Sequence, residues 1–253
     1  MLRFRSLGSG SSGNATVVEA GDGLQVRRLL VDCGFGIRQL ATRLGAAGLG
    51  IDQIDAIFIT HEHADHVGCA HTVAMRHRIP VFMSRGTHVA IGAPDFDGLL
   101  QMAHDMVPID LGTVCAVPFT VPHDAREPLQ LRCTDGASHL GLLTDLGHAS
   151  PHVLQQLQGC HALLLEANHD PDMLAASGYP IAGVHGHLAN HDAAGILAAV
   201  RHTGLNRVVA AHLSAQNNQP RLAQQALAHA LDWPAEGVDI ASPTKGTDWI
   251  NVV

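Results

Sequence analysis

Asp55-Ala-Ile-Phe-Ile-Thr60 runs directly into His61-Glu-His-Ala-Asp-His66. Ala56–Ile59 reads as a buried strand and helical periodicity starts at Ala64, so the histidines sit where a strand empties into a helix. Sites in α/β proteins form in loops at the carboxyl ends of strands. His61 and His63 can point the same way from an extended loop and so converge on one cation. Asp65 and His66, on the first turn of the following helix, can turn toward a second. One loop can thus serve two metal ions; the competing reading is a solvated histidine-rich turn.

On either side of this run the apolar segments stay short and are punctuated by Gly, Pro, Asp and Asn. Strands are expected at Leu2–Leu7, Ala15–Ala20, Arg27–Val31, Ala56–Ile59, Val81–Met83, Val114–Val121, Leu129–Cys133, His139–Thr144, Ala162–Leu165, Arg207–Ala211 and Asp248–Val252. Helices are expected over Gly36–Ala46, Ala64–Arg76, Pro151–Gln158, Asp192–His202 and Arg221–Leu231. No linker or low-complexity tract interrupts the chain, so a single domain over residues 1–253 is expected. Hairpin-like strands give way to strand–helix units, and that progression repeats after Leu111. An α/β fold of two mixed β-sheets packed face to face, with outer helices and loops from both halves meeting at one edge, suits this order. No internal sequence repeat accompanies it.

With 253 residues, 46% of them apolar, the chain has ample material for a core. Nineteen histidines are more than packing and surface polarity require, which marks some of them as ligands. A formal charge of −8 argues against a broadly basic nucleic-acid-binding face, although divalent cations would make a cleft locally positive. No long basic arm is present, and 4% aromatic residues provide little for base stacking. The five cysteines, Cys33, Cys69, Cys115, Cys133 and Cys160, are odd in number and never spaced C-x-x-C. They read as free thiols rather than a disulfide framework or a thiolate zinc site. No apolar run approaches the roughly 18 residues of a membrane span. Nor does a basic, apolar leader start at Met1, so no membrane association and a cytoplasmic location are expected.

The H-x-H-x-D-H run, preceded by a strand and Thr60, resembles the signature of the metallo-β-lactamase superfamily. Four more stretches resemble that superfamily's motifs in its order: Leu29-Leu-Val-Asp32-Cys-Gly34, Val121-Pro-His123-Asp-Ala125, Gly141-Leu-Leu-Thr-Asp145-Leu-Gly147 and Ala210-Ala-His212-Leu-Ser214. The resemblance implies an αββα four-layer sandwich, the metallo-β-lactamase fold, carrying a dinuclear centre. It assigns His61, His63 and His123 to one ion and Asp65, His66 and His212 to the other. Asp145 and a hydroxide lie between them, and Asp32 supports the metal loop from behind. An all-nitrogen-and-oxygen set suits Zn²⁺ best, with Mn²⁺ and Fe²⁺ compatible.

Further strings are similar to the YycJ (WalJ) branch of that superfamily, bacterial enzymes related to ribonuclease Z, over nearly the whole chain. They are Ser6-Leu-Gly-Ser-Gly-Ser-Ser-Gly-Asn14, His123-Asp-Ala with Glu127-Pro128, Glu166-Ala-Asn-His-Asp170, Gly186-His-Leu-Ala-Asn190 and His212-Leu-Ser-Ala-Gln-Asn-Asn218. The branch implies a metal-dependent phosphodiesterase acting as a nuclease, with DNA 5′-exonuclease activity suggested and nucleic acid or another phosphodiester as substrate. Two divalent ions would ready the bridging hydroxide for in-line attack. Asp65, Glu166 and His187 are the candidate catalytic residues, the last two as a carboxylate–histidine pair that keeps His187 protonated for the leaving group. Ser9, Ser11, Asn14 and Asn217 are candidate substrate contacts. Their Gly/Ser-rich turn reads either as a phosphate-receiving loop or as a plain hairpin turn. At Ala189 the chain departs from the branch, whose members usually carry serine there; Asn190 is then the expected helix cap. His169 and His185 lie beside the matched residues. A glyoxalase II-like thioesterase would use the same seven ligands, and a small-molecule phosphodiesterase or a metal-binding protein without turnover are the other readings.

Overall fold

Leu29, Leu30 and Val31 form an unbroken apolar run because both faces of their strand are covered. Leu29 and Val31 point into the space between two sheets and Leu30 toward helices outside. Ala56 and Phe58 divide from Ile57 and Ile59 in the same way, as do Ala162 and Leu164 from Leu163 and Leu165 in the other sheet. These alternations define four layers in a computed structural model that describes residues 1–177 and 186–253.

The first sheet contains β1 (Leu2–Gly8), β2 (Ala15–Gly21), β3 (Val26–Val31), β4 (Ala56–Phe58), β5 (Val81–Met83) and β6 (Leu100–Met102), in that spatial order. The second contains β7 (Ile109–Asp110), β8 (Cys115–Thr120), β9 (Leu129–Thr134), β10 (His139–Leu143), β11 (Ala162–Glu166), β12 (Arg207–Ala211) and β13 (Val238–Ile240). β14 (Ile250–Val252) returns to the first sheet, pairing antiparallel with β1 through Leu2↔Val252 and Phe4↔Ile250. Each sheet starts antiparallel and turns parallel, at β3–β4 in the first and β10–β11 in the second. The repeated progression expected from the sequence is therefore present in the strand order.

Helices α1 (Ile37–Ala46), α2 (Ala64–Val67), α3 (Ala70–His77) and α4 (Arg85–Ala90) belong to the first half, and Leu40, Leu44 and Val73 cover its outer face. Helices α5 (Pro151–Leu157), α6 (Pro171–Ser177), α7 (Asn190–Val200) and α8 (Pro220–Leu231) belong to the second, where Val153, Ile196 and Leu227 do the same. None of the described helices is long and apolar enough to cross a membrane.

The structure corrects the expected elements in three respects. Ala64–Arg76 is not one helix: it breaks at Gly68 (φ 37°, ψ −112°), because the Cys33 backbone donates to His66 O at 2.7 Å and accepts from Cys69 N at 3.1 Å. A Cβ on Gly68 would lie 2.2 Å from Cys33 O, so the crossing admits only glycine. β6, β7 and β13 escape the periodicity because runs of three, two and three residues at sheet edges are too short to show one. α4 and α6 are also unanticipated. Both carry start signals: Ser84 Oγ accepts from Thr87 N, and Asp170 Oδ1 accepts from Met173 N just ahead of Pro171.

Candidate metal centre

The parallel strands of both sheets empty at one edge. β3 runs into Asp32, β4 into Thr60-His61, β10 into Asp145, β11 ends at Glu166 and β12 runs into His212. Asp32 (φ 62°) and His212 (φ 53°) both adopt the left-handed backbone, one after each sheet's inner strand. Such conformations cost about 1–3 kcal/mol and persist only where surrounding contacts hold them. For Asp32 those contacts are Asp32 N to Phe58 O and Thr60 N to its own Oδ1, at 2.8 and 2.9 Å. For His212 they are its N–H to Ser9 Oγ and its carbonyl from Asn168 Nδ2, at 2.9 and 2.8 Å.

The loop at 61–66 and three distant segments converge here. Ligand-capable atoms of His61, His63 and His123 lie within 4.8 Å of one another, and so do those of Asp65, His66 and His212. Asp145 joins the two groups, with Oδ2 3.1 Å from His66 Nε2 and Oδ1 3.9 Å from His123 Nε2. All seven residues that the sequence nominates as ligands therefore meet in one place.

Their tautomers follow from what holds the opposite ring nitrogen. His66 Nδ1 donates to Asp32 Oδ2 at 2.7 Å and His123 Nδ1 to Gly186 O at 3.2 Å, so the Nε2 atom of each ring is the one that faces inward. Carboxylate or carbonyl behind a histidine is the arrangement found at metal-ligating imidazoles. His123 Nε2, His212 Nε2 and Asp145 Oδ2 are buried without a hydrogen-bond partner; the 3.1 Å approach of His66 to Asp145 lacks hydrogen-bond geometry. Buried polar atoms are ordinarily satisfied, and three orphans aimed at one point fit a divalent cation.

The electrostatics agree. Burial opposes the cation of His212, yet Asp145 and the contacts to Asp65 and Glu166 lift its pKa to about 10. Burial likewise opposes the cation of His66, and Asp145 and Asp32 outweigh it and hold the group well above the usual imidazole range. Burial would raise Asp145, but His212 and His66 hold it well below the carboxylate range. Burial pushes His61 and His123 down instead. Protons on His66 and His212 thus stand where divalent charge would relieve the buried carboxylates.

Beside the seven lies a second pair. Glu166 is fully buried and its Oε2 accepts from Leu146 N and Leu188 N at 2.8 and 3.3 Å. Its Oε1 accepts from His187 Nδ1 at 2.6 Å, 3.5 Å separating that same nitrogen from Asp145 Oδ1. Burial disfavours the His187 cation, but the bond from Glu166 and the charge of Asp145 raise its pKa above the ordinary value. Half-exposed His187 and His63, with exposed Asp124, form the solvent-facing side of the cluster.

The four candidate substrate contacts divide. Ser9, Asn14 and Asn217 are buried and Ser11 is exposed. Ser9 Oγ donates to Asn14 Oδ1, and Asn14 Nδ2 reaches Asp65 Oδ2 and His66 Nε2 at 3.2 and 3.1 Å. The Gly/Ser turn therefore props the metal loop with the groups the sequence offers to a phosphate. Asn217 is held by Ser214 Oγ and by its carbonyl to Asp170 N. Asn190 does not cap α7: the cap position falls on Ala189, which has no side-chain acceptor, and the Asn190 amide pairs with Asn218 instead. His169 is buried with its Nδ1 unpartnered, whereas His185 lies outside the described residues.

Sequence reasoning overlooks three contributors. Asp124 Oδ1 stands 3.2 Å from His123 Nε2, and Glu62 Oε1 accepts from Arg126 N at 2.6 Å, tying the metal loop to the His123 loop. Both lie inside the strings quoted above, so their position was the available signal. Gly34 is the third, passing so close that a Cβ would lie 1.7 Å from Asp65 O.

Residues 27–213 match the family model described as a β-lactamase superfamily domain. Exodeoxyribonuclease YycJ from Bacillus anthracis is 31% identical, the alignment covering 98% of this chain and 96% of that protein. The metallo-β-lactamase fold protein YhfI from Bacillus subtilis superposes with a TM-score of 0.77 at 17% identity, over 98% of both chains. Zn²⁺-bound PqqB from Methylobacterium extorquens does so with 0.75 at 17% identity, over 98% of this chain and 99% of that one.

Proposed function

The chain belongs to the metallo-β-lactamase superfamily, in the branch of exodeoxyribonuclease YycJ, and on that footing we propose that it is a dinuclear metal-dependent phosphodiesterase acting on nucleic acid as a DNA 5′-exonuclease. The observation that carries the reading is the Glu166–His187 pair at 2.6 Å, set against Asp145 between two ligand triads. Hydrolysis of a phosphodiester needs a charged oxygen stabilised and a leaving alkoxide protonated, and these two groups of residues divide that work.

His61, His63 and His123 would hold one ion, Asp65, His66 and His212 the other, with Asp145 between. Zn²⁺ fits best, with Mn²⁺ or Fe²⁺ compatible, since no thiolate joins the set. When bound, such a pair supplies Lewis acidity toward the phosphoryl oxygens and a water ionised near neutral pH. Asp32, through His66 Nδ1, and Gly186 O, through His123 Nδ1, orient the ligating nitrogens. Glu166 holds His187 by Nδ1, which leaves Nε2–H as the proton for the departing sugar oxygen. Asp65 is fixed toward the second triad by Asn14. Of the nominated substrate contacts, exposed Ser11 is the one free to meet a phosphate from the turn.

The test is hydrolysis by protein loaded with Zn²⁺ or Mn²⁺ of 5′-phosphorylated DNA, RNA, bis(p-nitrophenyl) phosphate and a glutathione thioester, beside metal analysis. Two ions per chain and 5′-to-3′ release of mononucleotides from DNA are expected. Turnover of the thioester alone would replace this reading with a glyoxalase II-like one.

A further inference from the structure

The turn between β1 and β2 has two sides. One, through Ser9 Oγ and Asn14, supports His212, Asp65 and His66 as described above. The other meets the loop between β13 and β14. Ser9 N donates to Ser242 O at 3.3 Å, and a Cβ on Gly10 would lie 3.7 Å from Pro243. β1 and β13 both end at the edge where the candidate ligands gather, so this loop shares the rim of the metal centre.

Behind the turn lies a cavity of about 610 Å³ bounded by β1, α1 and this loop, with Arg5, Thr42, Arg43, Lys245, Thr247 and Asp248 in its wall. Lys245 is the only lysine in the sequence. Three cations against one carboxylate is a local reversal in a chain of net charge −8. Arg43 is fixed: its guanidinium donates to Leu7 O and Pro243 O and lies 4.1 Å over the Phe35 ring. Arg5 is not satisfied, since its Nε is buried without a partner. No carboxylate pairs with Arg5 or Lys245 among the described residues. A held guanidinium, an unpaired guanidinium and an exposed ammonium, interleaved with threonine hydroxyls, are the groups that recognise phosphate.

We propose that this pocket binds a backbone phosphate of the polynucleotide substrate at a nucleotide beyond the scissile bond, the strand crossing the turn between the metal centre and Lys245. The proposal rests on the phosphodiesterase reading and adds to it a place where a chain of low aromatic content gains affinity for its substrate. Backbone contacts of this kind carry no base preference and are strongly salt-dependent.

The experiment measures binding of 3′-labelled, 5′-phosphorylated (dT)₁₂ and of inorganic phosphate in EDTA at several salt concentrations, together with hydrolysis of (dT)₁₂ and of bis(p-nitrophenyl) phosphate by the metal-loaded protein. Lys245→Ala and Arg5→Gln are compared with the wild type; Lys245 is exposed, so its variant folds even where Arg5→Gln does not. Expected is a several-fold weaker affinity for (dT)₁₂ and a slope of log K against log salt shallower by about 0.7 per lost contact. Hydrolysis of the small phosphodiester should be unchanged. Unaltered affinity and slope for (dT)₁₂ in Lys245→Ala, with the small phosphodiester still cleaved, would overturn the pocket and leave the metal-centre reading standing. Loss of inorganic phosphate binding without any change toward (dT)₁₂ would overturn it in favour of a free-phosphate site. Weaker (dT)₁₂ binding in a protein that cleaves neither substrate would uphold the pocket and sink the phosphodiesterase reading instead.

Discussion

The buried Glu166 carboxylate accepts a hydrogen bond from His187 Nδ1 on Oε1 at 2.6 Å, and its other oxygen is anchored by two backbone N–H groups. The pair spans β11 and the loop before α7, so it exists only once the second sheet has formed. Burial works against the imidazolium and Glu166 with Asp145 more than offset it, so His187 keeps its proton above the pH where a free imidazole loses it. Replacing His187 by alanine should lower turnover by about 10²–10⁴-fold, the range for a positioned general acid, with metal content unchanged. Glu166→Gln should move the alkaline limb of the pH–rate profile to lower pH, because the raised folded-state pKa is then lost. An unmoved limb in Glu166→Gln would show that the acid is another group.

Asp32 stands behind the loop at 61–66, where it holds His66 Nδ1 at 2.7 Å and takes Thr60 N and Oγ1 on its carboxylate. Removing the group behind a ligating histidine typically costs 10–100-fold in metal affinity. Asp32→Asn should therefore lower metal affinity by about that factor in a chelator competition. A metal affinity equal to wild type would remove the supporting role.

Metal binding should release protons. His212 titrates at about 10 and His66 well above its usual range, so both carry protons at neutral pH in the metal-free protein and must lose them to ligate. Raised folded-state values also mean that these two groups stabilise the metal-free protein fully below about pH 6.5, the unfolded value. That contribution is lost as pH climbs through the folded-state pKa, near 10 for His212. The increase in Tm caused by added Zn²⁺ should accordingly grow between pH 6 and pH 8.5. A constant increase across that range would contradict the proton-for-metal exchange.

What was legible in the sequence follows from what each residue needed. The His61–His66 run was readable because ligand types packed at a strand end leave a spacing, whereas His123, Asp145 and His212 entered only through the family resemblance; the central strands were readable because burial on both faces leaves an unbroken apolar run. The edge strands β6, β7 and β13 were not, since two or three residues carry no period. The helix break at Gly68 was invisible because it depends on Cys33, brought there by the fold. Ser9 and Asn14 were placed in the right neighbourhood with another partner. A polar residue in a Gly/Ser turn reads the same whether it faces a phosphate or the back of a histidine loop, and only tertiary contacts distinguish the two.

Ala189 occupies the N-cap of α7 with extended backbone and no side-chain acceptor, so that the N–H of Asp192 reaches only the Ala189 carbonyl, at 3.1 Å. Serine there would accept from the N–H of Asp192, the third residue of the helix, without altering its backbone. Ala189→Ser should stabilise the protein by about 1 kcal/mol, read as a higher midpoint in urea at unchanged m-value. Destabilisation would mean that the buried site has no room for the hydroxyl.

Gly34, just after β3, packs between the β1–β2 turn and the loop at 61–66. Its N–H donates to Asn14 O, and a Cβ at this position would meet Asp65 O at 1.7 Å and Asn14 N at 2.8 Å, both of them backbone atoms that cannot swing aside. The same contact places Asp65 opposite His212 and His66, so Gly34→Ala cannot be absorbed without moving the start of α2. Overpacking of this kind costs about 1–3 kcal/mol and occasionally more. The larger effect should fall on the centre: metal affinity should drop by more than in Asp32→Asn, because a ligating carboxylate is displaced rather than one imidazole loosened. Measuring Tm and metal stoichiometry together separates the two consequences. A Gly34→Ala protein that binds metal as tightly as wild type would show that the Asp65 backbone does not set the geometry of the second triad.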